Sequence, residues 1–209
     1  MTNENQILNW LMIGISQSPF SLNEVFYLDK NNNEFFSILA TDYFMLDENL
    51  EIAKNTTTSY SNQNENSIVN RIQRIENDDE EIIEIPRLSF NERKKILIEF
   101  LDSINDNKEK ERITSLYINI DSETPDVRNL FNRRFEIESD KNIVEKWNTL
   151  KNEILLIKAE SFVNLNNINL SNTKICEFEE KGIISIDLTK NDKGKILKQK
   201  NNKWWEFWK

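Results

Sequence analysis

Hydrophobic positions fall into short stretches whose period changes along the chain, and each change predicts an element. Ile7–Ile15 is largely apolar and reads as a short helix or strand. Val25, Phe26, Tyr27 and Leu28 form a β-branched and aromatic run. Asp29-Lys30-Asn31-Asn32-Asn33 follows with turn chemistry, since Asn and Asp tolerate left-handed backbone and bond their own main chain. Glu34–Leu39 returns as the second strand of a hairpin, and Tyr43–Leu46 is a candidate third strand. From Ala53 to Asn66 almost nothing is apolar, so the stretch cannot offset its ordering entropy and a flexible loop is expected over 53–66. Ile68, Ile72 and Ile75 sit at helical spacing and predict a short amphipathic helix over Ser67–Glu76. Ile82–Ile85 reads as a strand closed by Pro86.

The next hundred residues carry helical periods. Ser89-Phe90-Asn91-Glu92 fits a capping box, in which the Ser hydroxyl accepts an orphan N–H and Glu reaches back. Leu97, Phe100, Leu101 and Ile104 then form one stripe, so a helix is expected from about Phe90 to Ile104. A second is expected over Lys108–Ile120, burying Ile113, Leu116, Tyr117 and Ile120. Thr124-Pro125 reads as an N-cap with a first-turn proline, ahead of Val127, Leu130, Phe131 and Phe135. The longest helix is expected over Lys141–Leu165, where Ile143, Trp147, Leu150, Ile154 and Ile157 make a seam facing other helices. Beyond Asn172 the pattern returns to strands: Ile183–Leu188, a turn through Asn191–Gly194, then Lys195–Leu197. The fold class that results is α+β: a small antiparallel sheet built on the N-terminal hairpin, a four-helix section, a C-terminal β-hairpin and an aromatic tail. As domains, this gives 1–86 with its loop, 87–170 helical, 171–200 the hairpin and 201–209 the Trp-rich tail.

Composition removes whole classes of chemistry. The 209 residues contain no histidine, one cysteine (Cys176) and three glycines. Without histidine there is no Ser-His-Asp or Cys-His nucleophile and no His-containing zinc site. One thiol makes neither a zinc cluster nor an internal disulfide. Gly14, Gly182 and Gly194 are too scattered for a phosphate loop. No cofactor, catalytic set or metal set is expected. Charge sharpens this picture. The chain has 27 basic and 36 acidic side chains, a net of −9. Residues 189–209 hold seven Lys against Asp192 and Glu206, a local +5, which leaves −14 for the rest. An acidic body repels phosphates, so nucleic acid is not an expected partner. Glu4 and no Lys or Arg precedes the first apolar run, so no secretory signal is expected and the cytoplasm is the expected compartment.

Several segments, in this order, resemble a bacterial family of uncharacterised proteins, number 0158 of its series. They are Tyr27-Leu28-Asp29 at the end of the first strand and the Ile85-Pro86 step before a helix. An Arg/Phe-rich segment with Arg128, Phe131, Arg133, Arg134 and Phe135 follows, then Trp147-Asn148-Thr149-Leu150-Lys151. The likeness spans roughly residues 6–170. Asn stands where the family hairpin turns through Gly, and Leu150 where an aromatic is usual. The resemblance implies an architecture and no mechanism.

The remaining constellations are weighed by their geometry. Asp78-Asp79-Glu80-Glu81 lacks the alternating oxygens and the Gly of a Ca²⁺ loop, and reads as a solvated turn. Asp126 with Glu179 and Lys181 matches the bare pattern of a metal-dependent, nuclease-like hydrolase. Asp126 also suits a helix first turn, where a carboxylate complements the dipole. Arg128, Arg133 and Arg134 beside Phe131 and Phe135 read as a solvated face backed by a buried one. Trp147 and Cys176 read as core residues. The tail stands apart: Trp204, Trp205, Phe207 and Trp208 follow Lys200 and Lys203, so three of the five tryptophans lie within the last six residues. So much aromatic surface needs a cover, from the chain's own body, another protein or a membrane surface. The expectation is a non-enzymatic protein that contacts a protein partner through this tail. The hydrolase and a peripheral membrane protein are the alternatives.

Overall fold

The computed structural model describes residues 3–18, 23–53, 60–116 and 139–176. In chain order their elements are α1 (Asn3–Ser16), β1 (Glu24–Asp29), β2 (Glu34–Leu39), α2 (Ala40–Tyr43), α3 (Asn62–Glu76), β3 (Ile82–Glu84), α4 (Phe90–Asp102), α5 (Asn107–Leu116) and α6 (Lys141–Leu165). A 3₁₀ turn (Leu170–Asn172) then leads to β4 (Lys174–Ile175). The fold class is α+β, as the periods predict. Two compact units emerge: one contains residues 3–18, 23–40, 80–116 and 139–176, the other 41–53 and 60–79.

In the first unit β1 and β2 pair antiparallel with Leu28 opposite Phe35 and Phe26 opposite Ser37. The register follows from the turn. Asn33 takes the left-handed φ of 48° that closes it, and Asp29 accepts from the amide and side chain of Asn32 at 3.3 and 2.7 Å. β3 joins β1 antiparallel, while β4 joins β2 in parallel, giving the order β3-β1-β2-β4. The sheet is therefore mixed, which corrects the antiparallel expectation. A two-residue strand carries no period to read, yet it covers an otherwise open edge. The Lys174 and Cys176 amides donate to the Asn33 and Phe35 carbonyls at 3.1 and 2.7 Å.

Phe26, Leu28 and Phe35 enter one core with Ile7, Leu11 and Ile15 of α1. The Trp10 ring meets Phe26 edge-on at 4.7 Å and lies 5.5 Å from Phe35. Gly14 lets α1 come this close. A Cβ there would stand 2.9 Å from Cγ of Phe26 and 3.1 Å from its Cβ, the fixed end of a buried side chain. α6 packs along α1 and α4, and Trp147 meets Phe100 of α4 at 4.9 Å. α4 begins at the expected capping box. Ser89 Oγ accepts from the Glu92 amide at 3.3 Å, and the Ser89 amide donates to Glu92 at 2.8 Å.

α6 spans the expected residues and turns most of the expected seam inward: Trp147 is buried, and Ile143, Leu150 and Ile154 pack against the core. Lys151, Leu155, Ala159, Phe162 and Val163 are buried as well, and Ile157 alone of the expected seam is exposed, at 61%. The row Trp147, Lys151, Leu155, Ala159 and Val163 is an i±4 ridge, which drifts around the helix and carries the contact away from Ile157. Lys151 fits inside because its long stem is apolar.

In the second unit α3 starts at Asn62, five residues ahead of the expected Ser67, and takes 62–66 out of the expected loop. Ser61 caps it, accepting from the Asn64 amide at 3.3 Å, and Glu65 complements the dipole in the first turn. A capped first turn needs no apolar residue, which is why periodicity alone places the start too late. The candidate strand Tyr43–Leu46 is a turn instead. The amides of Phe44, Met45 and Leu46 each donate three residues back, and only Leu46 pairs, in a single bridge with Ile52. Asp42 is buried there, accepting from the Tyr60 hydroxyl at 3.1 Å.

Candidate interaction surface

The expected contact residues Lys200, Lys203, Trp204, Trp205, Phe207 and Trp208 lie outside the described residues. So do the helix expected after Thr124, the C-terminal hairpin, Asp126, Glu179 and Lys181, and the three arginines Arg128, Arg133 and Arg134. The last described residue is Cys176, and the segment leading to it is pinned to the start of α1 and to β2. Asn3 Nδ2 donates to the Leu170 and Thr173 carbonyls at 3.1 and 3.0 Å. Ser171 Oγ donates to Glu4 at 3.1 Å, and Lys174 Nζ stands 3.2 Å from the Glu34 carboxylate. Thr173 is buried and bonds the Asn169 carbonyl at 2.8 Å. Cys176 is half-buried.

Two charged clusters reveal what the sequence reading missed. Arg93 is 1% exposed, and its guanidinium serves as a main-chain clamp. Nε donates to the Leu88 carbonyl at 3.0 Å, and Nη2 donates to Ser16 at 2.7 Å and to Gln17. Arg87 adds bonds to Ser18 and Glu24 carbonyls at 3.1 and 3.0 Å. Both cations meet the carbonyls that follow from α1, where the helix dipole favours positive charge. Burial, and next the neighbouring Arg87 charge, push the Arg93 pKa down to about 10. The signal was present: Arg93 lies four before Leu97 and seven before Phe100, on the buried stripe of α4. Beside it, Glu92 meets Lys158 of α6. That contact above all, with help from the Ser89 amide and hydroxyl, holds the Glu92 carboxyl at about 2.

The second unit presents the other feature. Phe44 is 81% exposed, and Tyr43 next to it and Ile52 at the far end of the same firmly braced turn are exposed too. Asp47 accepts from the Asn49 and Glu51 amides at 2.9 and 3.1 Å and its own amide donates to the Glu51 carbonyl at 2.8 Å. Leu50 holds a left-handed φ of 58°, its carbonyl accepting from Gln73 of α3 at 2.9 Å. Tyr43 donates to Glu76 at 3.0 Å. An unbroken apolar run, Tyr43-Phe44-Met45-Leu46, was its only sequence signal, and it reads equally well as a strand. In the acidic run, Asp79 spends its carboxylate on Arg74 at 2.6 Å and Asp78 closes the turn at φ 53°. Among the described residues no three Asp, Glu or Cys side chains stand where together they could hold a metal ion. No helix among them is long and apolar enough to cross a membrane.

No protein-family model matches the chain, and neither a curated protein nor a solved structure does. The resemblance to family 0158 therefore rests on its own segments. Tyr27–Asp29, Ile85–Pro86 and residues 147–151 of these lie among the described residues.

Proposed function

We propose that this chain works by contact, as a non-enzymatic protein whose C-terminal tail binds a partner protein. The observation that carries the reading is the placement of Trp204, Trp205, Phe207 and Trp208 behind Lys200 and Lys203 at the end of an acidic chain. Tryptophan buries a large area with few torsions to freeze, and it dominates the energy of protein interfaces. The flanking lysines steer such a segment toward an acidic partner surface and set its salt dependence. The missing imidazoles and paired thiols support the same reading, since the commonest nucleophile and zinc chemistries need them. A place in family 0158 is part of this proposal, and it adds no activity.

The test is affinity capture with the full chain, a chain lacking Lys203–Lys209, and a W204F/W205F/W208F chain. Loss of the same captured protein from both variants is the expected result. An unchanged set of captured proteins overturns the proposal. Sedimentation of the full chain, but not the shortened one, with anionic vesicles and with no captured protein would assign the tail to a membrane surface instead.

A further inference from the structure

We infer that the braced turn 43–52 of the second unit is a docking site for the chain's own C-terminal segment, Lys200–Lys209. Its exposed face is apolar where a solvated turn would be polar: Phe44, Tyr43 and Ile52 are all accessible. Its exposed charges are all acidic. Asp47, Glu48 and Glu51 lie in the turn, and Glu76 lies at the Tyr43 hydroxyl. Over residues 41–79 eight acidic side chains face three basic ones, a net of −5. The tail from 189 to 209 carries +5 and offers four aromatic rings among its lysines. The two segments are thus complementary in charge and alike in apolar surface that needs covering.

The turn is also rigid, so docking costs it little order. Asp47 ties down two amides, and Gln73 holds the carbonyl of the left-handed Leu50. Such strain persists only where the surroundings over-determine it. A tether favours the chain's own tail over a free one. Twenty-three residues lie between Cys176 and Lys200, and a flexible tether gives an effective concentration on the order of millimolar. The docked state competes with the partner proposed above for the same rings, and it stands whether or not that partner exists.

The experiment follows the tail tryptophans in the full chain by acrylamide quenching. Subtracting the spectrum of a W204F/W205F/W208F chain removes Trp10 and Trp147. In the wild type the tail rings are expected to be shielded. Phe44→Asp is expected to raise their quenching severalfold and shift their emission to the red, as is the pair Glu48→Lys with Glu51→Lys. Phe44 is largely exposed, so its replacement leaves the fold intact, and the charge pair gives a second reading if it does not. High salt is expected to weaken the shielding. Three outcomes overturn the inference: rings equally exposed in wild type and variants, shielding that both variants leave untouched, or shielding lost on dilution, which would mean a second copy. Capture by the tail with shielding unaffected by Phe44→Asp keeps the proposed function and removes the docking site. Shielding lost in Phe44→Asp, with capture unchanged on tail deletion, does the reverse.

Discussion

Two residues of the first unit show how one side chain can decide a fold's tolerance. Gly14 faces the fixed end of the Phe26 side chain, so any Cβ must displace α1 or β1. In Gly14→Ala overpacking costs about 1–3 kcal/mol, while the helix gains about 1 kcal/mol from the better residue. A net loss is expected, read as a lower urea midpoint; an unchanged or higher midpoint would show that the strand yields. Arg93 is different in kind. Its three main-chain acceptors need a planar fork, and the Ser16, Gln17 and Leu88 carbonyls have it in common. Arg93→Lys keeps the charge and loses the fork. It is expected to cost about 2–3 kcal/mol, near the value of bonds to charged groups left unmade. If Lys were as stable as Arg in urea, charge at the end of α1 would be enough and the fork would be irrelevant.

At the level of elements, the junction of α4 with α6 depends on pH through Glu92. Its carboxyl sits at about 2 against an ordinary 4.5, because the Lys158 ammonium and the Ser89 groups favour the charged form. The stability it contributes is present above pH 4.5 and is lost as the pH falls toward 2. Both partners are more than a third exposed, so solvent screening limits this to roughly 0.2–1 kcal/mol. A Glu92→Gln chain should lose less stability than the wild type between pH 5 and 2, in urea titrations at each pH. Equal losses would remove Glu92 from the acid response. The same junction shows how far sequence reading reaches. Local signals were legible: the Ser89–Glu92 box, the Asn-rich hairpin turn and the length of α6 each depend on residues close in sequence. What escaped depends on partners far away. β4 exists only because β2 offers an edge, and the exposed Phe44 turn looks like a strand until Asp47 and Gln73 are seen holding it. The tail residues stand out in the sequence because three clustered tryptophans need a cover, and they lie outside the described residues.

Across the whole molecule, the first unit is closed by residues at opposite ends of the chain. Asn3 and Glu4 hold Leu170, Ser171 and Thr173, and β2 takes β4 from some 140 residues away. Contacts so distant in sequence close long loops, and they stabilise the fold only by more than that closure entropy costs. The segment 170–176 should therefore behave as a structural clasp, separate in energy from the tail beyond it. Each bond it makes is worth about 0.5–1.5 kcal/mol net, and it supplies the Lys174 and Cys176 amides as well as the two carbonyls that Asn3 uses. A chain ending at Asn169 is expected to lose several of these together, exposing the β2 edge and Asn3, and to unfold at clearly lower urea than the full chain. A chain ending at Lys200 keeps the clasp and loses residues 201–209 with their four aromatic rings, so the first unit should unfold at the wild-type midpoint, followed by Trp147 emission. If both truncations lowered that midpoint equally, the tail rather than β4 would be what completes the first unit, and the separation of fold from contact segment would fail.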